Sequence, residues 1–192
     1  MNHDKPDYSE PTLTIIERGH LAHLGIFIVS LCLSEIFHSN ISSLTKIPTL
    51  NAHQLLFLWL PAAILPCICH YLCGSWSDSY RDHWNYATAD LLEASPKTKI
   101  TLALGAAASE EILFRCVLQP WSGILLIVLL VMLLTPGPSG KLTPITALCC
   151  GQALLYGQMV EVTESIWPSF FAHCVINIWF VFFTPQQDTS FA

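Results

Sequence analysis

The sequence predicts an all-α fold: a polytopic transmembrane helical bundle of about six spans. Three observations carry that expectation. Hydrophobic residues make up 53% of the chain and charged residues only 11%, against about 25% charged in an average soluble domain. The mean hydropathy is +0.51. Apolar runs recur along nearly the whole length, clearest at 57–73, 124–134 and 170–183, with polar or Pro/Gly-rich breakers between them.

In chain order, residues 1–20 read as a polar N-terminal segment, with Asp4, Asp7, Glu10 and Glu17 against Lys5 and Arg18. That is the wrong charge for a signal-peptide n-region, so no cleaved leader is expected. Spans are expected at about 21–37, 55–73, 98–119, 122–134, 143–159 and 166–184, forming one transmembrane domain over 21–184 before a tail at 185–192. The fourth is short for a hydrocarbon core of ~30 Å, so it tilts, re-enters or extends into the next loop. The breakers are Pro48, the polar 74–97 stretch, Pro120, and Thr135-Pro136-Gly137-Pro138-Ser139-Gly140. The 74–97 stretch mixes Trp76, Tyr80, Trp84, Tyr86, Leu91 and Leu92 with Asp78, Arg81, Asp82, Asp90 and Glu93. It reads as interfacial, because aromatic rings anchor at headgroup depth.

Charge narrows the function classes. A net charge of −6 with no basic cluster argues against a nucleic-acid partner, since phosphate backbones are held by clustered Lys and Arg. Lipid is the expected surrounding. With six spans, Lys5, Arg18, Arg81, Lys97, Lys99 and Lys141 share one side, and only Lys46 lies on the other. The positive-inside rule then favours a cytoplasmic N-terminus. Cys32, Cys67, Cys69, Cys73, Cys116, Cys149, Cys150 and Cys174 nearly all fall in apolar runs, where cysteine acts as a small buried hydrophobe.

Cys67-x-Cys69-His70-x-x-Cys73 invites a zinc or copper reading. It lacks the C-x2-C spacing of structural zinc sites and follows Pro66 at an expected helix end, so a lipidated or buried cluster is preferred. No cofactor is expected, and zinc is disfavoured. His20-x-x-His23, at the start of the first span, reads as interfacial.

Ser109-Glu110-Glu111-Ile112-Leu113-Phe114-Arg115 sets three charges inside an apolar span. An ionised residue near a helix centre costs roughly 2.5–3.5 kcal/mol on insertion scales, and such residues face a bundle interior or wet cavity and mark function. On an α-helix Glu111 and Arg115 are i,i+4 in the favourable order and pair. Glu110 turns about 100° away and lacks a cation in its own helix. A glutamate able to take and return a proton is what water activation requires. The structural alternative is an ion pair plus one glutamate at a water-filled groove.

A second constellation follows at Trp167-Pro168-Ser169-Phe170-Phe171-Ala172-His173-Cys174-Val175-Ile176-Asn177. Pro168 suits a first helical turn, and Trp167 suits the interface. His173 and Asn177 are i,i+4, so they share a face. An imidazole and a carboxamide there could hydrogen-bond a developing oxyanion. Alone, the pair is better explained as an interhelical contact worth only ~0.6 kcal/mol, and with Glu110 in the same bundle that becomes the minor reading.

Together these elements resemble the first and last motifs of the CPBP family. Those are intramembrane glutamic endopeptidases that include CAAX prenyl proteases and bacteriocin-processing or self-immunity proteins. Glu110-Glu111-Ile-Leu-Phe-Arg115-Cys116-Val-Leu is similar to the family's EE-hydrophobic-FRG pattern, with Cys116 for the usual glycine. Gly157 through Thr163 to Trp167-Pro168, His173 and Asn177 is similar to its last motif. The likeness covers about 98–180. It implies an intramembrane endopeptidase acting on a membrane-associated peptide or protein. Glu110 would be the general base, Glu111 and Arg115 would position the motif helix, and His173 with Asn177 would stabilise the oxyanion. The small size implies a bacterial member in the cell membrane.

One family element is missing. The middle motif FxxxH has no counterpart, since the chain has no histidine between His83 and His173. Thr135, Gln152 and Gln158 are the polar groups considered in its stead. Two other classes therefore stay open. One is a catalytically inactive CPBP-like membrane binding or immunity protein. The other is a small transporter or proton relay, which the lack of an inverted repeat disfavours.

Overall fold

The structure is a computed structural model that describes residues 15–37, 39, 41–49, 51–88, 91, 94–135 and 140–183. Most of the N-terminal segment, Pro136 to Ser139 of the expected loop, Asp90, Leu92, Glu93 and the tail lie outside the described residues. Within them the chain is all-helical and has no strand. The helices are α1 (Ile15–Ile36), α2 (Ile41–Leu44), α3 (Ala52–Gln54), α4 (Leu60–Trp76), α5 (Asp78–Thr88), α6 (Pro96–Glu111), α7 (Gln119–Leu134), α8 (Pro144–Thr163) and α9 (Trp167–Phe182). Two π-helical stretches, Leu55–Trp59 and Ile112–Leu118, join α3 to α4 and α6 to α7.

Three helical runs are long and apolar enough to cross a membrane: Glu17–Ile36, Ala52–Trp76 and Pro96–Leu134, with Trp167–Phe182 a shorter apolar one. The chain is an integral membrane protein. The 39-residue run Pro96–Leu134 would reach about 58 Å as one straight helix, roughly twice the hydrocarbon core. It does not stay straight. Gly123 at φ 74° breaks it, a conformation glycine adopts without steric cost. Pro120, expected to end a span, instead sits in the first turn of α7, where its missing N–H costs little. The break falls three residues later than the sequence suggested. With this run divided and α8 counted, about six spans result.

The bundle buries polar groups within its apolar core and exposes large apolar side chains. Ser30, Ser109, Glu111, Arg115, Gln119, Thr146 and Ser169 are buried, whereas Leu24, Ile28, Leu56, Leu65, Leu125 and Leu133 are exposed. Hydrocarbon accepts that exterior, and buried polar groups find partners between helices. α6 packs against α1 and α9, α4 against α8 and α9, and α7 against α8. Small residues permit close approach: Ala62, Ala63, Ala103, Ala107 and Ala172 are all buried.

Two corrections concern the 60–88 region. Pro66 does not end a helix; it is buried inside α4, which continues to Trp76. In α5, Trp76's neighbours in sequence, Tyr80 and Trp84, are fully buried rather than interfacial. Trp84 stacks on Phe180 with centroids 3.6 Å apart, and Tyr80 meets His70. The polar face of α5 misled the sequence reading, because its aromatic face closes the bundle instead of facing headgroups. Trp76 itself is 81% exposed.

Candidate active site

The site forms where the end of α6 meets the first two turns of α9. α9 is set in place by its own N-terminus. Ile166 N–H donates to Leu44 O at 2.9 Å, Ser165 Oγ to Lys46 O at 2.7 Å, and Trp167 Nε1 to Thr45 O at 2.6 Å. Pro168 occupies the first turn, as its fixed φ favours. Ser169, His173 and Asn177 then recur every four residues along one face of α9 and turn toward α6.

Glu111 is 2% exposed, and three groups converge on it. His173 Nδ1 donates to its Oε1 at 3.0 Å, and Ser169 Oγ donates to its Oε2 at 2.6 Å. Arg115 Nε lies 3.6 Å from the same Oε2. The Glu111–Arg115 pairing expected from spacing is present, although Ile112–Leu118 is π-helical rather than α-helical. Single π-turns inside α-helices occur frequently at functional sites. Here the stretch begins immediately after the two glutamates.

Arg115 also ties the motif helix to its neighbours. Its Nη1 donates to Gln119 Oε1 at 3.1 Å and its Nη2 to Ala153 O at 3.0 Å. Gln119 Nε2 in turn donates to Gly157 O at 3.0 Å. A Cβ added at Gly157 would lie 3.0 Å from Ile124 Cγ1 and 3.2 Å from Gln119 Oε1. Gly157 therefore lets α7 and α8 approach closely enough for this network to close.

Glu110 is placed differently. Its side chain is 41% exposed, and its Oε2 lies 3.8 Å from His173 Nε2. That exceeds a direct hydrogen bond but is within reach through one bridging group. The two carboxylates thus address opposite nitrogens of one imidazole: Glu111 holds Nδ1, and Glu110 faces Nε2. Asn177 Nδ2 donates to Ala103 O at 3.2 Å, linking α9 to α6.

Three polar contacts escaped the sequence reading. Ser169 had a visible signal, the four-residue recurrence 169, 173, 177. Gln119 and Tyr156 had none, because both act across helix pairs distant in sequence. Of the groups considered in place of the middle histidine, Gln152 donates to His70 Nε2 at 2.8 Å, Gln158 is exposed, and Thr135 Oγ1 donates to Val131 O at 2.6 Å. The α8 side chain beside His173 is Tyr156, with ring centroids 5.4 Å apart.

The cysteine-histidine run is also internally engaged. His70 is buried, with Nδ1 2.7 Å from Tyr80 Oη and Nε2 accepting from Gln152. Both ring nitrogens are therefore occupied by protein groups. No cluster of three His, Cys, Asp or Glu side chains able to hold one metal ion occurs among the described residues. His23, read as interfacial, faces α6: its Nδ1 lies 3.4 Å from Ser109 Oγ, and its Cδ2 would meet a Cβ at Gly105.

Residues 97–179 match the family model described as type II CAAX prenyl endopeptidase Rce1-like. The interval runs from the start of α6 into α9 and contains Glu110, Glu111, Arg115, His173 and Asn177. No curated protein and no solved structure matches the chain.

Proposed function

We propose that this chain, which carries an Rce1-like domain at residues 97–179 consistent with a CPBP family member, hydrolyses a peptide bond of a membrane-associated peptide or protein with water activated by Glu110. The family is one of membrane-embedded proteases, so a lipid surrounding and a peptide or protein substrate belong to it generally. The observation that carries the finer reading is the approach of Glu110 Oε2 to His173 Nε2 at 3.8 Å, with Glu111 accepting from Nδ1 on the far side.

Glu110 takes a proton from water, and the hydroxide oxygen bonds to the scissile carbonyl carbon. The carbonyl π electrons move to oxygen, giving an oxyanion. With both nitrogens protonated, His173 donates Nδ1–H to Glu111 and Nε2–H to that oxyanion. Collapse breaks the C–N bond as Glu110 returns its proton to the leaving nitrogen, giving a carboxylate and an amine. Glu111, Ser169 and Arg115 act as positioning residues that hold the ring. One of the two Asn177 amide N–H groups donates to Ala103 O, which gives the residue a positioning role beside the oxyanion contact its spacing suggested.

We place the chain in a bacterial cell membrane with a cytoplasmic N-terminus, the orientation that the excess of Lys and Arg on one side supports. The activity is tested with full-length protein in liposomes and a fluorescence-quenched farnesylated peptide ending in a CAAX sequence, with new termini read by mass spectrometry. Cleavage by the wild type and its loss in Glu110→Gln and His173→Ala, both folded, is the expected result. Cleavage undiminished in folded Glu110→Gln would remove Glu110 as the base.

A further inference from the structure

Tyr156 lies on α8, 2% exposed, and its hydroxyl has no hydrogen-bond partner among the described residues. A buried phenol normally finds one, so an orphaned hydroxyl in a close-packed bundle calls for a reason. Its packing neighbours Ala62, Ala63, Met159 and Ala172 offer no side-chain acceptor. Its ring lies against the His173 imidazole at 5.4 Å, tilted by 36°.

Trp84 Nε1 is likewise buried and unpartnered, but its ring stacks on Phe180, two helical turns from His173. Tyr156 alone of the two adjoins the histidine, which itself bonds Glu111.

An oxyanion is held best by more than one preorganised donor. His173 Nε2 supplies one, and one of the two Asn177 amide N–H groups serves Ala103 O. We infer that Tyr156 is the second donor: its phenolic O–H hydrogen-bonds the scissile carbonyl oxygen as negative charge develops there. The phenol keeps its proton throughout, and no bond to it forms or breaks. This inference rests on the hydrolase reading above. It assigns a donor from α8 in a chain that has no histidine between His83 and His173.

The test compares wild type with Tyr156→Phe, full-length in liposomes, on the same farnesylated CAAX peptide. We expect kcat to fall by about 10²-fold, with KM held within about twofold because the donor acts in the transition state. The melting temperature should be unchanged or higher, since the substitution deletes an unsatisfied buried polar group. A wild-type kcat in Tyr156→Phe would overturn the inference while leaving the hydrolase reading intact. So would a fall in kcat matched by a fall in melting temperature, which would mark a structural role. A folded wild type that cleaves nothing would overturn the hydrolase reading and this inference together.

Discussion

Glu111 Oε1 accepts a hydrogen bond from His173 Nδ1 at 3.0 Å, across 62 positions of sequence. This contact joins the end of α6 to the second turn of α9 and fixes which edge of the imidazole is free. It also separates two adjacent glutamates by environment. Glu111 is enclosed by His173, Ser169 and Arg115, whereas Glu110 stays 41% exposed on the Nε2 side. One carboxylate is invested in structure, and the other remains reachable.

Glu111→Gln should therefore lower both stability and peptide cleavage, whereas Glu110→Gln should lower cleavage alone. Removing one charge of a buried pair costs about 3–5 kcal/mol, although the bonds from Arg115 to Gln119 and Ala153 would persist. Thermal unfolding in detergent, run beside the cleavage assay, checks this. Equal melting temperatures for the two variants would contradict the division of roles.

Gly157→Ala should destabilise the bundle by about 1–3 kcal/mol, the usual cost of overpacking. Its Cβ would press Ile124 Cγ1 at 3.0 Å and Gln119 Oε1 at 3.2 Å. Since Gln119 bridges Arg115 to Gly157, cleavage should fall as well. Gly151→Ala is the matched control on the same helix, because nothing lies within 4 Å of its added Cβ. Indistinguishable melting temperatures for the two would refute the close-approach argument.

Stability should depend on pH through His83, in α5 outside the membrane-spanning segments. Burial holds its pKa below the ordinary 6.5, and its Nδ1 lies 2.6 Å from Thr143 Oγ1 at the start of α8. The unfolded chain protonates first as pH falls, so this contribution is full above pH 6.5 and declines below it toward the lowered folded value. His83→Gln should flatten the fall in melting temperature between about pH 7 and about pH 5. The same pH slope in both proteins would show that other groups govern it.

Much of the bundle was legible because helix geometry is local. Apolar run lengths gave the spans, and Pro168 marks a start that follows from the proline rule. The Glu111–Arg115 pair and the shared face of His173 and Asn177 are likewise short-range. The aromatic misreading turns on partners far along the chain. Tyr80 and Trp84 resemble an interfacial belt until α9 presents Trp179 and Phe180 to them. Pro120 resembles a stop, yet the backbone leaves the helical conformation only at Gly123, which has no side chain to enter a hydrophobic pattern.

By itself, the sequence determined the all-α membrane bundle and the residues through which chemistry could run. Apolar length and charge placed in an apolar span are properties of contiguous residues. Only the tertiary structure decided that Glu111 is the glutamate sealed against His173, that Asn177 donates to Ala103 O, and that Tyr156 stands beside the imidazole with its hydroxyl unpaired. Those outcomes depend on the rotation and closeness of α6, α8 and α9, which residues like Gly157 and Ala172 set through interhelical packing rather than through any local pattern.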